Sequence, residues 1–208
     1  MRRVGVPQIR GRISLTFVHL DLDIRKSLLD LARGAIRESL GGCAESEVPP
    51  EAPALQQPAG CFVSLHDLQT HALRGCVGRL DAQQALWLAV RDSARSVLTD
   101  PRFTDRPVTL QELPRLEIEI SVLSPLRAVG HPLDFDLVEH GIYLTMGGRT
   151  GCFLPQVARE TGWSKEQLLS RLCTEKLGLA AVAWKHPDAR LLTFTALIVG
   201  PEAFEPGR

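Results

Sequence analysis

Hydrophobic side chains recur at helical spacing near the start of the chain. Between residues 24 and 40 they stand at Ile24, Leu28, Leu31, Ala35 and Ile36. A period of three to four residues places such positions on one face of an α-helix, and the two glycines that follow are typical of a helix end. The pattern predicts an amphipathic helix over residues 24–40.

Residues 43–60 lack this period. The segment contains four prolines and few large apolar side chains. Proline removes a backbone donor and restricts its neighbours, so we expect a surface loop here.

Two short runs of strand-forming residues follow. They cover residues 61–66 and 72–77, and the polar residues 67–71 join them. This arrangement predicts a β-hairpin. A helix is predicted over residues 82–98, with Asp81 as its N-cap. Asp100 and Pro101 are expected to end it.

The clearest strand covers residues 116–123, where apolar and polar side chains alternate strictly. Alternation with a period of two places the apolar side chains on one face, so we expect the other face to contact solvent. A possible capping box at residues 109–112 predicts a short helical turn just before this strand.

The last third of the chain predicts a second group of elements. Residues 141–146 and 151–154 resemble strands around a turn at residues 147–150, and residues 191–199 form an apolar run typical of a strand covered on both sides. Ser164 and Gln167 have the spacing of a capping box for a helix that reaches Lys176, with Gly178 as its end.

These elements do not alternate as β-α-β-α, and several strands form hairpins, so the pattern favours an α+β fold with a mixed or antiparallel sheet and packed helices. We assign residues 21–200 to a single domain of two packed lobes. Residues 1–20 then form an N-terminal extension and residues 201–208 a C-terminal tail.

Composition narrows the functional classes. The 208 residues include 24 Lys and Arg against 24 Asp and Glu, so no net charge attracts the chain to nucleic acid or to an anionic membrane. No apolar stretch approaches the roughly 20 residues of a membrane-spanning helix. The five cysteines are odd in number and widely spaced, which favours reduced thiols and a cytoplasmic protein.

The predicted hairpin carries the candidate chemistry. If residue numbers across it sum to about 138, the side chains of Ser64, His66, Arg74 and Cys76 share one face, and the aliphatic ones share the other. Arg74 could then stabilise a Cys76 thiolate, and His66 could act as a base if it lies close enough.

Gly75 and Gly78 flank this cysteine, and the missing Cβ atoms would let a backbone or a ligand approach. The predicted catalytic residues are Cys76, His66 and Arg74, and the predicted ligand-binding residues are Ser64, Arg74, Gly75, Cys76 and Gly78. The structural alternative is a buried thiol, an ion-paired Arg74 and a glycine bulge.

Other polar groups carry weaker signals. His66 and His71 lack a third ligand placed by the sequence, so we expect no metal site, and we predict no cofactor. Residues 100–103 (Asp-Pro-Arg-Phe) could line a cleft, but they are more typical of a locked chain reversal. Glu117 and Glu119 are typical of a solvated strand face.

Four segments together resemble the AMMECR family, including the AmmeMemoRadiSam system protein A members. They are residues 73–78, 100–103, 153–157 and 160–163. The resemblance covers roughly residues 24–199 and departs from the family pattern at Cys152, where we expect an aliphatic residue, and in the proline-rich loop.

The resemblance implies a two-lobed α+β fold with the Arg74 strand near the groove between lobes. It also implies an accessory role beside Memo-like and radical S-adenosylmethionine proteins. The polar face of the hairpin favours a binding protein that holds a small anionic ligand or a protein segment in this groove. The alternative from the residues is a cysteine-dependent enzyme with Cys76 as nucleophile. A neutral chain without a reading motif makes nucleic-acid binding the weakest hypothesis.

Overall fold

The computed structural model describes residues 20–42 and 51–205. The predicted N-terminal extension up to residue 19, the first part of the proline-rich segment and the last three residues lie outside this range. The α-helices are α1 (Leu22–Ser39), α2 (Pro53–Gln56), α3 (Leu86–Ser96), α4 (Pro155–Thr161) and α5 (Lys165–Arg171). The strands are β1 (Cys61–Asp67), β2 (Leu73–Arg79), β3 (Leu116–Leu123), β4 (Arg127–Ala128), β5 (Gly141–Met146), β6 (Arg149–Phe153), β7 (Arg190–Phe194) and β8 (Ala196–Ala203).

The strands form two sheets of four strands each. Their orders are β2-β1-β3-β8 and β4-β7-β5-β6, and the neighbouring strands of both sheets are antiparallel. The predicted α+β class with antiparallel sheets and packed helices is therefore confirmed.

The first sheet packs its apolar face against α1 and α3. Leu28 and Ile36 of α1, Val90 of α3 and Val63 and Ile120 of the sheet are all fully buried in this core. Burying a side chain of this size contributes roughly 1.5–3 kcal/mol, so this layer anchors the first lobe. Asp21 begins α1 by accepting a hydrogen bond from the backbone N–H of Ile24.

The second sheet has its own core. It packs against α4, α5 and a π-helical segment, Leu172–Leu177, that continues α5 and ends at Gly178 in the left-handed conformation. The predicted capping box is present, because Ser164 and Gln167 exchange hydrogen bonds at the start of α5. The predicted turn of the β5–β6 hairpin is also present, with Gly147 and Gly148 both at positive φ.

The apolar run over residues 191–199 is two strands. β7 belongs to the second sheet and β8 to the first, and Thr195 separates them. The prediction of one continuous strand was wrong because both strands are apolar, so periodicity gave no sign of the break between sheets. β8 then continues past residue 200 to Ala203, and Phe204 is fully buried.

The second face of β3 does not contact solvent as predicted. Glu117 and Ser121 are both buried there, and the side-chain amide of Gln156 in α4 donates to the hydroxyl of Ser121 at 3.3 Å. The second lobe therefore covers the polar face of the first sheet at Glu117 and Ser121, whereas other side chains of this face stay partly exposed: Phe62, His66, Cys76 and Glu119. Polar side chains on this face line the space between the lobes.

Three local predictions need correction. The proline-rich segment contains α2, whose Leu55 is fully buried in the first core. Asp81 does not cap α3, because the helix begins at Leu86 with Ala85 at the N-cap position, and the carboxylate of Asp81 accepts two hydrogen bonds from Arg79. The predicted short helical turn before β3 is present as a 3-10 turn at Leu113–Arg115, but no capping box starts it, because the carboxylate of Glu112 binds Arg74.

Within the described ranges, the helices all fall short of the length and apolar character that crossing a bilayer demands.

Candidate functional site

The register of the first sheet places Cys76 opposite Ser64, and Ser64 opposite Glu119. Cross-strand partners project from the same face, so these three side chains form a row across β2, β1 and β3. We call this row the groove row. It lies on the polar face that the second lobe partly covers, with Cys76 and Glu119 partly exposed and Ser64 buried.

The predicted hairpin pairing was shifted. Partners across most of the hairpin sum to 140, as Ser64 and Cys76 do, and a β-bulge follows between Leu65 and His66. The shift is even, so Val63, Leu65 and Val77 keep the apolar face that the sequence predicted. The bulge leaves Arg74 without a partner on β1 and places Leu73 opposite His66.

Two side chains of the loop after α3 hold Cys76 at the edge of the sheet. Asp100 accepts a hydrogen bond from the backbone N–H of Cys76 at 2.9 Å, and Arg102 donates to the carbonyl oxygen of Cys76 at 3.1 Å. These contacts satisfy both backbone groups of Cys76, as a neighbouring strand would. The loop therefore closes this part of the edge.

Asp100 and Arg102 also bind each other. The buried carboxylate accepts hydrogen bonds from the backbone N–H of Arg102 at 3.0 Å and from its guanidinium at 2.7 Å. The guanidinium holds the pKa of Asp100 well below its ordinary value, at about 2, and the N–H groups of Cys76 and Arg102 add to this shift. The predicted lock at residues 100–103 therefore exists, and its anchor is Cys76.

Arg74 does not lie beside the thiol as the sequence predicted. Its guanidinium makes a bidentate pair with Glu112, at 2.6 and 3.0 Å, and donates to the carbonyl oxygen of Arg106. The bulge turns Arg74 away from the groove row, and the positive charge that acts on Cys76 comes from Arg102. The prediction that Arg74 stabilises a Cys76 thiolate is therefore replaced by a pairing of Arg74 with Glu112.

The Cys76 thiol is protonated at neutral pH. Burial raises its pKa, and the negative charges of Asp100 and Glu119 act in the same direction. The Ser64 hydroxyl and Arg102 oppose the shift without reversing it. A thiolate nucleophile needs a lowered pKa, so this environment has the opposite effect from the one that catalysis requires.

His66 faces carboxylates. Burial lowers its pKa, and Glu117 and Glu160 partly offset the effect. Cys76 is not among the groups that act on this ring. His66 therefore belongs to the acidic end of the groove, one row away from the thiol.

The two glycines of the motif allow protein backbone to approach. A Cβ on Gly75 would lie 2.8 Å from the carbonyl oxygen of Val97, and a Cβ on Gly78 would collide with the carbonyl oxygen of Cys61 and the backbone of Phe62. The space that the sequence left open for a backbone or a ligand is thus filled by α3's end and by β1.

The facing wall carries groups that the sequence analysis did not select. The side chain of Gln156 interacts with Glu119, and Glu160 and Arg159 of α4 act on the same carboxyl. Burial, together with Glu160 and Glu117, raises the pKa of Glu119. The carbonyl oxygen of the Gln156 side chain is buried without a hydrogen-bond partner in the described chain. Only the contact between lobes reveals these residues, although residues 153–157 had carried part of the resemblance.

Metal ligands are not grouped at this site. Over residues 20–42 and 51–205, no three His, Cys, Asp or Glu side chains are arranged to hold a metal ion. The chemistry available in the groove is hydrogen bonding by a thiol, a hydroxyl, an amide and a carboxyl group.

Known proteins match this chain over most of its length. The AMMECR1 family model matches residues 29–199, which includes both lobes. Protein MK0488 of Methanopyrus kandleri is 34% identical over 190 residues, which cover 88% of this chain and 91% of that protein. Protein PF1979 of Pyrococcus furiosus is 36% identical over 191 residues, covering 84% and 87%.

A solved structure shows the same fold. The crystal structure of the uncharacterized protein PH0010 from Pyrococcus horikoshii matches with a TM-score of 0.76 and 35% sequence identity. The match covers 83% of this chain and 88% of that one.

Proposed function

This chain belongs to the AMMECR1 family, and from that premise we propose that it is an accessory binding protein that holds a segment of a partner protein in the groove over Cys76, Ser64 and Glu119. The partners we propose are the Memo-like and radical S-adenosylmethionine proteins of a shared cytoplasmic system. The observation that carries the proposal is the groove row itself, which presents hydrogen-bonding side chains between two lobes.

The shape of the polar surface favours an extended occupant. The partly exposed side chains of Phe62, Cys76, Glu119 and His66 follow one another over three rows of the sheet. Residues 62–66 of a strand span about 13 Å, since each residue advances by roughly 3.3 Å. A stretch of this length suits a segment of a few residues better than a compact ligand.

Charge argues against the small anionic ligand that the sequence allowed. Arg74 is paired with Glu112, and Arg102 is paired with Asp100. An anion would have to compete with a carboxylate for either guanidinium, and it would meet Glu117, Glu119 and Glu160 nearby. A neutral or weakly basic peptide segment meets no such cost.

The cysteine-dependent enzyme receives less support. It needs Cys76 as a thiolate, Arg74 at the thiol and His66 as its base, whereas burial raises the pKa of the thiol and Arg74 binds Glu112. We therefore retain binding as the proposed function.

Photo-crosslinking tests this proposal. A photoreactive phenylalanine analogue at position 62 reports on the groove, and the same analogue at Val182, which is exposed in the second lobe, is the matched control. With purified Memo-like and radical S-adenosylmethionine proteins, we expect a crosslink from position 62 and none from position 182. No crosslink from position 62, or equal yields from both positions, would overturn the proposal.

Inorganic phosphate serves as the competing occupant in the same experiment. If it prevented the crosslink at millimolar concentration, the groove would be an anion site, and the peptide-segment proposal would be wrong.

A further inference from the structure

A cavity lies away from the groove row, where the two sheets meet. Its volume is about 280 Å³, and its walls include the end of β3, the start of β8 and Phe194 of β7. Residues of both lobes line it. Nothing in the proposed binding of a partner segment uses this cavity.

The walls are mainly apolar. Val122, Leu123, Phe194 and Leu197 contribute aliphatic and aromatic surface, and Pro58 adds a rigid edge. A concave, largely apolar space with a few polar groups is the usual form of a small-molecule site, and this volume is near the lower end of the range for such sites.

The charged groups at the cavity are of one sign. Among the residues that the structure describes, Arg127 is the cation of the lining, and no carboxylate side chain lines the cavity. The guanidinium of Arg127 has no hydrogen bond or ion pair with the residues the structure describes, in contrast to Arg74 and Arg102. An anionic group at this position would meet an available partner and no competing carboxylate.

His140 supplies a second donor. Its Nδ1 accepts a hydrogen bond from the backbone N–H of Asp136 at 2.9 Å. The neutral ring therefore carries its proton on Nε2, and this N–H is left as the donor of a side chain that lines the cavity.

We propose that this cavity binds a small organic carboxylate with an apolar body, whose carboxylate pairs with Arg127 and accepts from His140 while its body contacts the apolar walls. The apolar surface, the guanidinium that pairs with none of the described residues and the imidazole donor together define that chemistry. Because residues of both lobes form the walls, the bound acid would hold the junction of the two sheets together.

Phenylacetate and phenylacetamide are the matched probes, since they differ in charge and hardly in shape. Titration of the ¹⁵N-labelled protein, followed by NMR, should give saturable shifts for the backbone amides of Leu123 and Thr195 with phenylacetate. We expect phenylacetamide to bind about tenfold more weakly, because it lacks the charge-assisted pair. Equal affinity for both probes, or shifts that do not saturate, would overturn the proposal.

Two variants locate the binding. Arg127→Gln should weaken phenylacetate about tenfold, whereas Arg190→Gln, an exposed arginine in the same sheet, should have no effect. Ala82 is exposed and lines the cavity, so Ala82→Trp should block it without disturbing the core. Unchanged binding in Arg127→Gln, or in an Ala82→Trp protein whose other amide signals match the wild type, would refute the assignment.

Discussion

The carboxylate of Asp100 accepts a hydrogen bond from the backbone N–H of Cys76 at 2.9 Å, across 24 positions of sequence. Arg102 completes this contact by donating to the carbonyl oxygen of the same residue. The two side chains fix the position of the thiol in the groove and occupy the sheet edge that another strand would otherwise pair with. The loop after α3 is thus a structural part of the site.

Replacing Asp100 should weaken the fold in a pH-dependent way. The pKa of this carboxyl falls from the ordinary 3.8 to about 2, so its ionised form stabilises the native state above pH 3.8 and loses that contribution as the pH falls through 2. The shift corresponds to about 2 kcal/mol. We expect Asp100→Asn to lose about this much unfolding free energy at pH 7, measured by urea denaturation.

The same urea denaturation provides the control. Asp188→Asn, at an exposed carboxylate, should leave the unfolding free energy at pH 7 unchanged. If Asp100→Asn were as stable as the wild type at pH 7, the contacts of the Asp100 carboxylate with Cys76 and Arg102 would contribute nothing to the unfolding free energy.

Gly78 should not tolerate a side chain. A Cβ there meets the carbonyl oxygen of Cys61 and the backbone of Phe62, which cannot move aside as a flexible side chain could. We expect Gly78→Ala to cost roughly 1–3 kcal/mol of unfolding free energy. Gly130→Ala is the matched control, because a Cβ at Gly130 meets no atom within 4 Å. Equal stability of the two variants would show that the strands separate without cost.

Arg102, and not Arg74, should control the acidity of the Cys76 thiol. Arg102 lowers the thiol pKa against the larger effect of burial, whereas Arg74 is paired with Glu112. Arg102→Gln should therefore raise the pKa of Cys76 further, and Arg74→Gln should leave it unchanged. The pH dependence of iodoacetamide alkylation, resolved for the Cys76 peptide by mass spectrometry, measures both. If the pKa of Cys76 rose in Arg74→Gln and not in Arg102→Gln, Arg74 would be the cation that acts on the thiol, as the sequence predicted.

Glu119 should destabilise the native state at neutral pH. Burial and the neighbouring Glu160 and Glu117 raise its pKa, so its stabilising contribution is present below the ordinary value of 4.5 and is lost as the pH rises through the raised pKa. Glu119→Gln should therefore be more stable than the wild type at pH 7, because an amide carries no charge and can donate to the buried Gln156 oxygen.

A comparison of denaturation at pH 7 and pH 4 checks the sign. The advantage of Glu119→Gln should shrink at the lower pH, and the exposed control Glu139→Gln should differ little from the wild type at either pH. A variant that is less stable at pH 7 would contradict this assignment.

The sequence predicted a helix or strand correctly where the evidence lay within that segment, as a hydrophobic period or a cap. The alternation over residues 116–123 gave β3 with the correct buried face, and the capping box at Ser164 gave the start of α5. The resemblance of four separated segments gave the family, which the match over residues 29–199 shows.

The site depended on contacts that no local pattern contains. Arg74 and Glu112 are 38 positions apart, and the bulge that turns Arg74 toward Glu112 shifts the hairpin pairing by a single residue. Sequence parity predicted that Val63, Leu65 and Val77 face the core, since burial there is strongly favoured, but it was wrong for Leu73, which the bulge pairs with His66. Parity could not predict the bulge at Arg74, because the side chain of Arg74 pairs with Glu112 in another segment.

The buried polar face of β3 was missed for a similar reason. Alternation at Glu117 and Ser121 is the same whether water or another lobe lies over the strand. Only the position of α4 decides between the two, and that position follows from the packing of the second core.

Protection of Cys76 from alkylation reports whether a partner segment lies over the groove row. The iodoacetamide reaction rate of this thiol is measured with and without saturating Memo-like and radical S-adenosylmethionine proteins, beside a cysteine introduced by Val182→Cys on the exposed surface. If a partner segment occupies the groove, the partners slow alkylation of Cys76 at least about tenfold and leave the control thiol unchanged. An unchanged rate at Cys76, with the partners shown to be bound, would show that the segment binds elsewhere.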